Sequence, residues 1–288
     1  MAGSAPHGWR ERARERRGRR RRRPRSERRR GVHLLPNLFT SGNLFFGFYA
    51  IVQSSLGNPE LAAWGIVLAM LFDIFDGRVA RLMNASSRFG AEYDSLADVV
   101  SFGVAPAMLA FAAGDLQVLG RAGWVLAFLY VVCAALRLAR FNVLPSRWKG
   151  RFEGLPSPAA AAMVASTQWF TGFVHESTPF SVPPLLVALG TGGLGLLMVS
   201  RVPYRSFKEI DLRHSYRTLV FLVLALTLVV IEPKVTLFAI GLAYVSSGPV
   251  EWIWRWMGGR PLEQAEAPAE AAGGGPLEDA AREHRGAT

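Results

Sequence analysis

The chain has 288 residues, half of them apolar, with a net charge of +11 and one cysteine. The single Cys133 excludes an intrachain disulfide, and the five scattered histidines show no metal-ligand spacing. Residues 8–30 hold fourteen Arg and three Glu, a net of +11, so the basicity belongs to this tail alone and the remaining residues are neutral.

Taken in chain order, residues 1–30 are low-complexity and are expected to be a disordered, Arg-rich cytoplasmic tail. Such a tail beside a membrane helix attracts anionic lipid, by about 1 kcal/mol per basic residue near the surface. Nucleic-acid binding is the competing use of such basicity, and no nucleic-acid partner is expected. No short apolar core with a small-residue cleavage site follows, so no signal peptide is expected. The short stretch "GVHLLPN" then leads into eight apolar blocks near 38–54, 61–82, 95–114, 121–141, 158–175, 182–200, 216–231 and 235–256. About 20 helical residues cross a bilayer core about 30 Å thick. Most blocks lack the polar face of a soluble core helix. The expected fold is all-α: a polytopic membrane helical bundle of six to eight spans over residues 31–258, which is read as the membrane catalytic domain. Residues 259–288, rich in Ala, Gly, Pro and Glu, are expected to be a flexible cytoplasmic tail.

The joins alternate in charge. One set carries Arg78, Arg81 and Arg88, then Arg137, Arg140, Arg147, Lys149 and Arg151, then Arg201, Arg205, Lys208, Arg213 and Arg217. The other set carries only Arg121 and Lys234. Lys and Arg stay on the cytoplasmic side. The expectation is therefore a multi-pass protein of the cell membrane, with both termini and the join at 73–98 in the cytoplasm. Trp252, Trp254 and Trp256 end the last block, where indoles favour the interface.

That join, "DIFDGRVARLMNASSRFGAEYDSLAD", holds four aspartates and two glycines. Asp73 and Asp76 share one helix face, as do Asp94 and Asp98, and "NASSRFG" between them supplies turn residues. The simplest geometry is two antiparallel helices whose acidic faces meet. Four facing carboxylates need compensation, and clustered oxygens suit Mg²⁺ or Mn²⁺. Two such ions can clamp a diphosphate. Gly77 and Gly90 leave room for a phosphate against the backbone, and Arg81 offers a bidentate contact. A lone Asp at a span end is ordinarily a solvated or capping residue, but four with these neighbours in one join are not. A cation-coupled transporter is the other use of buried acids; its acids would be spread over several spans near the midplane.

The spacing Asp73-x2-Asp76-Gly77-x2-Ala80-Arg81-x8-Gly90-x3-Asp94-x3-Asp98 resembles the complete signature of the CDP-alcohol phosphatidyltransferases. The wider resemblance covers roughly residues 32–250. It implies a helical membrane fold with a polar cavity open to the cytoplasm, and a homodimer. It also implies that Asp73, Asp76 and Asp94 hold the metals, and that Asp98 contributes to metal binding and is the general base. Asn37, Thr40, Gly77, Ala80, Arg81 and Gly90 would meet the nucleotide and diphosphate of CDP-diacylglycerol.

The signature leaves the acceptor open. "PNLFTSGNLFFG", "ALRLARFN" and "FEGLPSPAAAA" resemble the bacterial branch of the family that uses L-serine. Arg137 and Arg140 lie at the inner end of an apolar span, and guanidinium groups read carboxylates by paired hydrogen bonds; Asn142 would add a polar contact. Orientation and snorkelling also place arginines there. Siblings using glycerol 3-phosphate or an inositol phosphate stay open as alternatives. The prolines of "GLPSP" prevent a continuous helix through 155–158, and Pro106 is placed to kink the third span beside Asp98.

Overall fold

A computed structural model describes residues 34–82, 87–114, 116–143, 151–179, 181–205, 227 and 231–258. Both tails lie outside the described residues, as do nearly all of the seventh apolar block and Arg147, Lys149, Lys208, Arg213 and Arg217 of the basic joins. What is described is mostly α-helical.

Helices α1 (Leu34–Ser55) and α2 (Pro59–Leu82) form a hairpin. Gly57, at φ 74°, takes a left-handed turn, and Pro59 starts α2, where a missing N–H costs no helical bond. Hydroxyls buried along α1 bond back to their own helix, Thr40 to the Pro36 carbonyl at 3.2 Å and Ser54 to Ala50 at 2.8 Å. The two helices approach closely through small residues, with Gly65 against Ala50.

Helix α3 (Arg88–Asp98) is capped by Ser87, whose Oγ accepts from the Gly90 N–H at 3.0 Å. It continues directly into a π-helical turn at Val99–Val104 and then α4 (Ala105–Ala113). Pro106, expected to kink this span, lies in the first turn of α4 just after the π-helical turn. Pro106 has no N–H for the Phe102 carbonyl four residues back, and the Tyr130 hydroxyl donates to that carbonyl at 3.2 Å.

After a 3₁₀ turn at Leu116–Leu119 come α5 (Arg121–Val143), β1 (Arg151–Glu153), α6 (Ser157–Ser177), α7 (Pro184–Val199), β2 (Pro203–Arg205) and α8 (Pro233–Gly258). The all-α expectation needs one correction. β1 and β2 pair antiparallel, with Arg151 opposite Arg205, Phe152 opposite Tyr204 and Glu153 opposite Pro203. Gly154, at φ 75°, leaves β1 and bonds to the Val202 carbonyl at 2.9 Å, and "LPSP" then opens α6 instead of continuing one. The proline device recurs in α8. Pro249 cannot serve the Val245 carbonyl, and the buried Tyr204 donates its hydroxyl there at 2.9 Å. Burial pushes the Tyr204 phenol up to about 12, so it stays a donor. A Cβ on Gly248 would strike the Tyr204 ring.

Alanine-rich contacts dominate the core. Ala50, Ala62, Ala63 and Ala69 meet Phe102, Leu109, Ala161 and Ala165 in one cluster. Tyr130, Cys133 and Ala134 meet Ala160, Met163 and Met198 in another. The two ends of the bundle differ. At one, Lys234 bridges Glu60 at 3.1 Å and Glu176 at 3.7 Å. The other gathers the aspartates, Arg137, Arg140 and the strand pair, with Glu251 joining Arg151 to Arg255. Among the described residues, two helical segments are long and apolar enough to cross a membrane, Arg88–Ala113 and Arg121–Val143, and Pro184–Val199 is apolar but shorter.

Candidate active site

Helix α1 packs against both α2 and α3, whereas α2 and α3 do not pack closely against each other. The acidic ends of α2 and α3 therefore face across a gap that α1 sets. Asp73, Asp76 and Asp94 converge there, with one carboxylate oxygen from each lying within 4.8 Å of the others. Asp76 is buried, and Asp76 Oδ2 and Asp94 Oδ1 are buried without a hydrogen-bond partner among the described residues. Asp98 lies one turn beyond Asp94 and feels the charges of Asp73, Asp94 and Asp76.

Three carboxylates at this separation repel unless something positive sits among them. The orphaned oxygens and the all-oxygen donor set fit a hard divalent cation. Asp73, Asp76 and Asp94 can hold one.

Of the residues expected to meet the nucleotide, Thr40 is the one whose side chain lies directly beside a clustered aspartate, Asp76. The Asn37 side chain lies beside Gly90, where an added Cβ would sit 3.4 Å from Asn37 Oδ1. Among the described residues, a Cβ on Gly77 would meet nothing within 4 Å, so the space above its backbone is open to them. Arg81 is exposed and folds its Nε onto the Gly77 carbonyl at 2.8 Å. Ala80 lies on the same helix, between them.

The three acceptor candidates part company. Arg137 is partly buried, donates Nη1 to Ser157 Oγ at 3.0 Å, keeps a buried Nε without a partner among the described residues, and feels the charge of Asp98. Arg140 is held by Glu153 and, at 3.1 Å, by the Val199 carbonyl. Asn142 is exposed and donates to Ser95 Oγ at 2.8 Å, beside Asp94 in sequence.

Several residues at the site carry no expectation from the sequence. Asn43, fully buried, donates Nδ2 to Asp98 Oδ1 at 3.1 Å. Ser101 donates to the Asn43 carbonyl at 3.0 Å, and a Cβ on Gly47 would collide with Ser101. Ser41 and Tyr93 join hydroxyls at 3.0 Å. The one available signal is Asn43 itself, an amide inside an apolar helix.

The sequence model of the CDP-alcohol phosphatidyltransferase family matches residues 33–190. The chain belongs to this family. Residues 33–190 contain every aspartate of the cluster, both arginines and the "GLPSP" turn. Relatives within the CDP-alcohol phosphatidyltransferases include the CDP-diacylglycerol–serine O-phosphatidyltransferase of Helicobacter pylori, 34% identical over 226 residues, 77% of this chain and 92% of the relative. The enzyme of that name from Bacillus subtilis is 38% identical over 178 residues, 62% of this chain and 93% of the relative. The one from Saccharomyces cerevisiae is 42% identical over 175 residues, 53% of this chain and 60% of the relative.

Proposed function

We propose that this protein transfers the phosphatidyl group of CDP-diacylglycerol to the hydroxyl of L-serine, giving phosphatidylserine and CMP. The observation that carries the proposal is the convergence of Asp73, Asp76 and Asp94, with Asp98 and Arg137 within electrostatic reach of one another on its flank. The names of the relatives support the choice of donor and acceptor.

In this reading, Asp73, Asp76 and Asp94, joined by Asp98, hold two divalent cations, Mg²⁺ or Mn²⁺. Bound there, the ions supply neutralising charge to the diphosphate and to the departing CMP. Asn37, Thr40, Gly77, Ala80, Arg81 and Gly90 receive the nucleotide and diphosphate, with the open face at Gly77 admitting the phosphate. Arg137 takes the serine carboxylate, while Arg140 and Asn142 brace the same region. Asp98 accepts the hydroxyl proton. The hydroxyl oxygen forms a bond to the phosphatidyl phosphorus, the bond from that phosphorus to the bridging diphosphate oxygen breaks, and CMP leaves with the electron pair.

The protein spans the membrane six to eight times as a homodimer, with both termini and the site in the cytoplasm. Helices α1, α2, α6 and α8, of 22, 24, 21 and 26 residues, are also long enough to cross. In α1 and α2 the polar residues that lower apolarity are largely those facing the site: Asn37, Thr40, Asn43, Asp73 and Asp76. Outward-facing Phe45, Phe48, Phe128, Leu185, Leu189 and Leu196 are exposed, a pattern that lipid accommodates.

The test supplies purified protein with CDP-diacylglycerol, Mg²⁺ or Mn²⁺, and labelled L-serine, glycerol 3-phosphate or an inositol phosphate in separate reactions. Label enters lipid, with CMP released, only from serine. Label entering lipid from a phosphate-bearing acceptor and not from serine overturns the acceptor assignment.

A further inference from the structure

We infer that Asn43 is the positioning residue for Asp98, holding its carboxylate in one orientation at the acidic gap. The inference rests on the reading of Asp98 as the base.

The geometry is specific. Asn43 is completely buried, and its Nδ2 donates to Asp98 Oδ1 at 3.1 Å across the α1–α3 contact. The bond takes one carboxylate oxygen and so fixes the plane of the Asp98 carboxylate, with Oδ2 not engaged by Asn43. The donor is a neutral amide. An arginine or lysine in its place would neutralise the carboxylate as well as orient it; an amide orients it and leaves its charge for the reaction.

The surroundings hold the Asn43 backbone, while its side-chain Oδ1 is buried without a hydrogen-bond partner among the described residues. The Ser101 hydroxyl donates to the Asn43 carbonyl at 3.0 Å. Gly47, one turn along α1, lacks the side chain that would keep Ser101 away. The π-helical turn begins at Val99, immediately after Asp98, and contains Ser101. The bulged turn thus lets α3 present Asp98 to the acidic gap while Ser101 docks on α1. Helix α1 carries Asn43 and, one turn earlier, Thr40 beside Asp76, so one helix face aligns the base with the acidic cluster.

The test is a double-variant cycle on the full chain in lipid nanodiscs, with Asn43→Ala, Asp98→Asn and both together. Asn43→Ala is expected to lower kcat by about tenfold to a hundredfold, the scale of a misplaced base, with both KM values within about threefold of the parent. Added to Asp98→Asn, it lowers residual turnover no further, because its effect runs through Asp98. An infrared difference spectrum reads the contact without turnover: Asn43→Ala shifts a carboxyl stretching band, and the shift is absent in the Asp98→Asn background. Near-normal turnover by Asp98→Asn would sink the base assignment itself. An unchanged kcat for Asn43→Ala beside an inactive Asp98→Asn, or a band shift that persists without Asp98, overturns the inference and leaves the base assignment standing.

Discussion

Arg137 Nη1 donates to Ser157 Oγ at 3.0 Å, while the Nε of the same guanidinium stays buried and unpartnered among the described residues. Arg140, three residues on, has its Nη groups on Glu153 and the Val199 carbonyl. One turn, "EGLPS", therefore supplies partners to both arginines, and Arg137, which feels the charge of Asp98, keeps a buried donor unpartnered among the described residues. Arg137→Lys keeps the charge and loses the planar fork, and should raise KM for serine about tenfold or more while leaving KM for CDP-diacylglycerol near the parent value. Arg140→Ala removes its ion pair with Glu153 and its bond to the Val199 carbonyl, and should instead cost about 1–2 kcal/mol of stability. Steady-state kinetics and thermal midpoints on the same preparations separate the two roles.

The glycines at the site divide in the same manner. Gly77 faces open space, whereas Gly47 is pressed against Ser101. Gly77→Ala should keep or raise the thermal midpoint, since alanine favours a helix interior by about 0.5–1 kcal/mol, and should weaken CDP-diacylglycerol binding by filling the phosphate approach. Gly47→Ala should lower the midpoint through overpacking by about 1–3 kcal/mol. Ligand binding and melting curves on both variants check the contrast.

Tyr204 serves the carbonyl that Pro249 leaves unserved. Tyr204→Phe should destabilise the protein by about 1–3 kcal/mol, the cost of an unsatisfied buried carbonyl. In a Pro249→Ala background, the restored N–H takes over and the same replacement should cost less. Chemical denaturation of the four proteins measures the coupling.

The site was legible where chemistry depends on spacing within one segment. Asp73, Asp76, Asp94 and Asp98 reveal themselves by helical spacing around a turn, and the structure brings the first three together. Asn43, Ser101, Glu153 and Ser157 act across contacts between separate elements, and nothing in their own neighbourhoods marks the partner. Pro106 signalled a perturbed helix, but the π-turn and the Tyr130 bond that resolve it depend on a helix packed alongside. The strand pair was invisible because Arg151–Glu153 and Pro203–Arg205 are too short to carry an alternation.

The Arg-rich segment lies outside the catalytic machinery in this account. Deleting residues 1–30 should leave CMP release from CDP-diacylglycerol and serine intact, and should weaken attachment to vesicles containing anionic lipid, most at low salt. Vesicle co-sedimentation beside the activity assay reads both effects.

The most direct measurement is anomalous diffraction from crystals of the protein grown with Mn²⁺ and CDP-diacylglycerol. Manganese peaks bounded by Asp73, Asp76 and Asp94 are expected, and are lost on Asp76→Asn. A manganese peak elsewhere in the molecule, with none among these three side chains in protein that turns over with Mn²⁺, would contradict this assignment.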